Sequence, residues 1–187
     1  RIGRSARLDN IAVNSATAAL ALFMTQSPRI DASVCVTSVT AAPAAGSLRA
    51  MQLTGDQIDQ FQRDGYLFLP EMFSRDEAAL LRAEADRLYA MDREEVWRES
   101  SGAPRTAFAA HPYSEPFRRL GAHPRLIGPI EQLLGGKLYM HQYKVNAKAA
   151  FDGDVWQWHQ DYGTWKNDDD MPNCHAMNLA IFLDEVN

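Results

Sequence analysis

The chain has 187 residues, of which 46% are hydrophobic and 23% charged, the balance of an ordinary folded domain with one core. Its net charge of −5 is uneven: residues 1–50 hold five arginines against Asp9 and Asp31, which leaves 14 basic and 22 acidic residues, a balance of −8, in 51–187. An acidic body without a basic stripe argues against a nucleic-acid partner, and the longest apolar run, residues 16–24, is too short for a membrane span.

Residues 1–50 are rich in Ala, Ser, Thr and Arg, poor in acids, and show no sustained period. They are expected to be a largely disordered leader, either non-native or a targeting segment, with the orderly domain beginning at Met51. Cys35 and Cys174 lie in segments of different character and make no disulfide or zinc pattern, so a reducing, cytoplasmic setting is expected.

From Thr54 the signals become regular. Thr54 and Gln57 form a Thr-x-x-Gln capping box that opens a helix burying Ile58 and Phe61 and stopping near Gly65. Tyr66-Leu67-Phe68-Leu69, closed by Pro70, is a strand candidate. Ser74 and Glu77 repeat the capping logic ahead of an amphipathic helix over 75–91, with Leu81, Ala85 and Leu88 at helical spacing. Val96-Trp97 suits a strand and residues 100–104 a turn. Ser114 caps a short helix, and His123-Pro124 introduces another over 125–134 that Gly135-Gly136 stops.

Residues 137–148 change to a period of two. One face reads Leu138, Met140, Gln142, Lys144, Asn146 and Lys148, and its polar row suits either a lined cavity or a solvated outer face. A turn at 151–155 leads to a Trp-rich element, residues 156–165, that holds three of the four tryptophans around His159-x-Asp161. An acidic loop at Asp168-Asp169-Asp170 follows, then alternation over 177–183 with Leu179, Ile181 and Leu183 on one face. Helices first and strands later predict an α+β domain.

Read as a strand, the Trp-rich element puts His159 and Asp161 on one face. That is two thirds of the facial triad of two histidines and one carboxylate that suits non-haem Fe(II). Alone the pair is a weak signal, since a surface hydrogen bond explains it equally well.

Its surroundings carry more. His141-Gln142, Val145-Asn146, Lys148, Phe151, Trp158-His159, Asp161, Thr164-Trp165, Asp169 and Met171-Pro172 stand in the order and at the separations of the phytanoyl-CoA dioxygenase family. The chain from Met51 onward resembles the ectoine hydroxylase-like branch of that family, and residues 64–70 resemble its opening strand. The resemblance implies N-terminal helices followed by a double-stranded β-helix, a cupin-like jelly roll, around Fe(2+) and 2-oxoglutarate. It makes His159 and Asp161 the first two iron ligands and catalytic residues. It places Asn146, Trp156 and Asn178 near 2-oxoglutarate, and Gln142, Lys144 and Trp165 beside the substrate. The implied reaction couples decarboxylation of 2-oxoglutarate by O2 to hydroxylation of an unactivated C–H bond. Asp161 favours hydroxylation over halogenation, for which relatives carry a small residue at that position. Lys144 stands where ectoine hydroxylases carry an arginine, and the two cations differ in reach and fork geometry. The substrate is therefore expected to be a small polar or zwitterionic molecule rather than ectoine itself or an acyl-CoA.

A facial triad needs a second histidine, and the resemblance implies a distal basic residue for the far carboxylate of 2-oxoglutarate. After Asp161 the chain has only His175, and it has no arginine after Arg125. The chain is thus expected to be the N-terminal part of a dioxygenase, its jelly roll cut before the sheet is complete. As a fragment it should be inactive alone and prone to associate, for instance as a homodimer. The alternative is a non-catalytic binding or scaffold remnant of the same fold; a zinc hydrolase built on His159 and Asp161 is a third.

Overall fold

The computed structural model describes residues 51–147 and 159–184, together with the backbone of one strand nearer the start, β1 (Ala19–Met24). Helix α1 (Gly55–Asp64) begins with the complete capping box: Thr54 accepts the Gln57 amide and the Gln57 side chain accepts the Thr54 amide. It ends where Gly65 turns to φ 77°, a left-handed conformation that glycine adopts without strain. Strand β2 (Tyr66–Leu69) follows with Leu67 and Leu69 buried. Helix α2 (Arg75–Tyr89) has the second capping box, Ser74 with Glu77, and buries Ala78, Leu81, Ala85 and Leu88 along one stripe. Strands β3 (Val96–Arg98) and β4 (Pro104–Phe108) flank a turn in which Gly102 has φ 92°. Helices α3 (Glu115–Gly121) and α4 (Pro124–Leu134) are capped by Ser114 and His123. Strand β5 (Lys144–Asn146), helix α5 (Asp161–Asp168) and strand β6 (Met177–Phe182) complete the described elements.

The strands form two antiparallel three-stranded sheets, ordered β2-β1-β6 and β3-β4-β5. Both lean on one core, in which Phe61, Leu67, Leu88 and Ile130 are almost completely buried. The second sheet gives Val96, Ala107 and Val145 to this core, and β6 lays Leu179 and Ile181 against it. Mixed helix and sheet, with helices dominating the first half, matches the α+β reading.

Three sequence expectations are corrected. Disorder over residues 1–50 does not describe Ala19–Met24, which pairs with β2 on one side and β6 on the other; an apolar run between two strand edges gains a ladder of backbone hydrogen bonds that composition does not reveal. Lys148 lies outside the described residues, and of the strand expected over 137–148 the described residues form Lys144–Asn146 alone as a strand. The approach to it packs instead: the Tyr143 hydroxyl donates to the Phe117 carbonyl at 3.0 Å, and a Cβ on Gly121 would lie 2.7 Å from Met140 Cε and 3.0 Å from the Tyr143 ring. Finally, residues 161–165 of the Trp-rich element belong to helix α5, not to a strand. Asp161 is the first helical residue, where a carboxylate meets the positive end of the helix dipole.

Candidate metal and substrate site

His159 and Asp161 remain together although no strand aligns them. Gln160 between them is extended, at φ −108° and ψ 120°, and the chain then turns into α5. This brings His159 Nε2 to 3.1 Å from Asp161 Oδ1. The other carboxylate oxygen is held from β6, where Asn178 Nδ2 donates to Asp161 Oδ2 at 2.6 Å. One oxygen of Asp161 is therefore oriented by an amide while the other faces an imidazole. His159 is exposed and Asp161 half-buried, so this nitrogen and oxygen donor pair stands at the surface of the described residues. Such a mixed imidazole and carboxylate set, with a second hydrogen bond fixing the carboxylate, fits a divalent iron. Among the described residues no group of three or more His, Cys, Asp or Glu side chains is arranged to hold a metal.

Helix α5 is weakly specified by its own sequence. It has eight residues, its N-cap Gln160 makes no side-chain capping bond, and it buries one side chain, Trp165. Such a helix is marginal without tertiary contacts. Trp165, 5% exposed, packs in a small cluster of its own with Met171 and Ala176, against which Tyr162 leans. Its carbonyl accepts the amides of Asp169 and Met171, at 3.0 and 3.1 Å, so that Met171-Pro172 folds back beneath the helix. His141 meets this unit from the other side. Its ring packs edge-on to the Trp165 indole at 5.1 Å between centroids, and its Nε2 donates to Asp169 Oδ2 at 2.8 Å.

The third group lies on β5. Lys144 and Asn146 share the face opposite the buried Val145, as the alternation predicts. Asn146 pairs with Thr106 on β4, and its Oδ1 accepts from the Thr106 hydroxyl at 3.0 Å. Lys144 pairs with Phe108 and holds its ammonium 5.7 Å from that ring's centroid, with Trp97 edge-on to Phe108 at 4.7 Å. Gln142 is exposed, outside the strand. On the core side Tyr143 is half-buried, and desolvation of its phenol pushes the pKa upward. The His111 ring lies 5.5 Å from it, and burial pushes that imidazole's pKa down.

Asp161, His159 and Asn178 are thus in one hydrogen-bonded set, Asn146 and Lys144 share a sheet face, and Trp165 supports α5 from inside. Trp156 lies outside the described residues. His175 is exposed, with its Nε2 3.4 Å from the Leu134 carbonyl. Sequence reasoning assigned nothing to Thr106, the buried partner of Asn146, because register across β4 and β5 is not written in either strand. It quoted His141 and Asp169 only as motif positions, although their 28-residue separation and complementary chemistry could have suggested a pair.

The family is settled by comparison with known proteins. Residues 61–187 match the family described as phytanoyl-CoA dioxygenase (PhyH), and the chain belongs to that family of 2-oxoglutarate-dependent oxygenases. Among its relatives, the ectoine dioxygenase of Stutzerimonas stutzeri (strain A1501) is 37% identical over 160 residues, which cover 83% of this chain and 50% of that protein. The L-proline trans-4-hydroxylase of Streptomyces griseoviridis is 41% identical over 128 residues, covering 68% of this chain and 48% of that one. The crystal structure of EctD from S. alaskensis with 2-oxoglutarate and 5-hydroxyectoine superposes with a TM-score of 0.62 at 33% identity, over 81% of this chain and 51% of that chain. A second structure of EctD, with bound Fe, gives 0.58 at 32% identity over 76% and 52%. The chain spans about half the length of these relatives.

Proposed function

We propose that the protein is a hydroxylase dependent on Fe(2+) and 2-oxoglutarate, acting on an unactivated C–H bond of a small polar or zwitterionic substrate. The observation that carries this reading is the Asn178–Asp161–His159 set, whose nitrogen and oxygen donors converge at 3.1 Å within a family of oxygenases. Iron with 2-oxoglutarate supplies the oxidising chemistry that places an oxygen atom of O2 into a C–H bond. Asp161 and His159 would hold that iron, and Asn178 keeps the Asp161 carboxylate turned toward it. A third donor would come from outside the described residues. Residues 51–187 would then be part of a dioxygenase domain with a jelly-roll sheet, inactive without a third iron ligand.

The names of the relatives favour a small solute, since both ectoine and L-proline are compact and polar. Lys144, held over Phe108, offers a cation suited to a substrate carboxylate, and Gln142 an exposed amide. Asn146, braced by Thr106, fits a place beside 2-oxoglutarate, with Trp156 as its companion; Trp165 would set the position of the substrate-side helix. Among the described residues no helix is long and apolar enough to cross a membrane.

The test is a screen of the full-length protein with Fe(II) and 2-oxoglutarate against free amino acids and compatible solutes, with succinate and hydroxylated product both measured. Turnover with a small zwitterion, lost in Asp161→Ala, is the expected result. Stimulation by acyl-CoA esters alone would refute the substrate class. Absence of metal binding and turnover altogether would leave a non-catalytic scaffold of the same fold.

A further inference from the structure

We propose that His141 is a positioning residue which, through Asp169 and Trp165, fixes helix α5 and its Asp161 against the segment that leads into Lys144 and Asn146. The inference rests on the hydroxylase reading for its catalytic consequence but on contacts alone for its structural part. Four observations carry it. Helix α5 has no side-chain cap and a single buried side chain, so its position depends on what holds Trp165, together with the Asn178 bond to Asp161 at its start. The Trp165 ring is met by His141, and its carbonyl is bound by the amides that bracket Asp170. His141 also donates to Asp169, the residue at the C-terminal cap of α5. Lastly, His141 adjoins Gln142 and precedes Lys144 by three residues, so one side chain connects the two groups of site residues. The His141 side chain is 16% exposed and that of Asp169 41%, so the hydrogen bond joins a largely sheltered imidazole to an exposed carboxylate.

The tether would act on geometry and not on the reacting atoms. A substrate held from the β5 side must present its C–H bond to an iron held from the α5 side, and misplacement of about 1 Å is enough to cost on the order of a hundredfold in rate. Loosening α5 should therefore let 2-oxoglutarate be consumed without the substrate being hydroxylated.

Two measurements on the full-length protein test this with His141→Phe, which keeps a ring beside Trp165 but loses the donor, with Asp169→Ala, and with the double variant. In hydrogen exchange, the amides of residues 161–171 are expected to exchange roughly tenfold faster in either single variant, and little faster again in the double variant, while α1 stays unchanged. Unchanged exchange at 161–171, equal acceleration in α1, or additive effects of the two substitutions would overturn the tether. In turnover, the hydroxylated product formed per succinate is expected to fall by roughly threefold or more while the substrate KM moves less than about twofold. A product-to-succinate ratio that stays at the wild-type value would overturn the positioning role, even if kcat fell. Should the wild-type protein hydroxylate none of the solutes, the function proposed above fails, whereas the exchange result still decides the tether.

Discussion

The helical layer and the α5 region are built on opposite principles. Helices α1 and α2 each begin with a complete capping box and bury residues at helical spacing in one core, so local sequence and tertiary packing agree there. Helix α5 lacks a side-chain cap, buries one tryptophan in a separate small cluster, and receives its partners from residues 141 and 178. The contrast implies a division of labour. Stability resides in α1 to α4 and the sheet faces against them, while the region that holds His159 and Asp161 is a lightly anchored attachment whose geometry is set from a distance.

That division can be broken by substitutions on either side of it. The largest effect on activity is expected from Asp161→Ala, which should reduce succinate-coupled turnover of the full-length protein to background while shifting the unfolding midpoint little; a large fall in midpoint would show that α5 is part of the stabilising core after all. The converse is Leu88→Ala. Leu88 is fully buried, and truncation should cost about 3 kcal/mol in chemical denaturation with metal affinity nearly unchanged. Asn178→Ala should weaken metal binding by roughly tenfold to a hundredfold, measured by titration with Fe(II) under anaerobic conditions, with little change in stability. Ser74→Ala removes one half of the α2 capping box and should cost about 1 kcal/mol.

The smallest expected effect is on pH dependence. Burial lowers the pKa of His111 from its ordinary 6.5, and its Nδ1 is buried with no hydrogen-bond partner. The folded protein thus keeps this imidazole neutral where the unfolded chain would protonate it. Its contribution to stability is present above 6.5 and is lost as the pH falls toward the lowered folded value. His123 is shifted the same way, first by burial and then by Arg125. His111→Phe should therefore reduce, without abolishing, the loss in urea midpoint between a buffer above and one below that value.

The amino-acid sequence by itself determined the helical layer. Thr54 with Gln57, Ser74 with Glu77 and Gly65 with Gly135 act within a few residues of where they stand, so their effect can be read without knowing the fold. The alternation of Lys144 and Asn146 about Val145, and of Leu179 and Ile181 in β6, was legible for the same reason. The resemblance at residues 141–172 pointed to the family through motif spacing, while the periodicity of that stretch misled: His159-x-Asp161 read as a strand is the entry to a helix. Only the tertiary structure decided that Asn178 would reach Asp161, that Thr106 would brace Asn146, that His141 would close on Asp169 and Trp165, and that Ala19–Met24 would join β2 to β6. Each of these is a contact between residues at least 17 positions apart in the chain. Local propensity carries no information about such pairs; they form because a buried polar group or an open strand edge must find a partner once the core has brought the segments together.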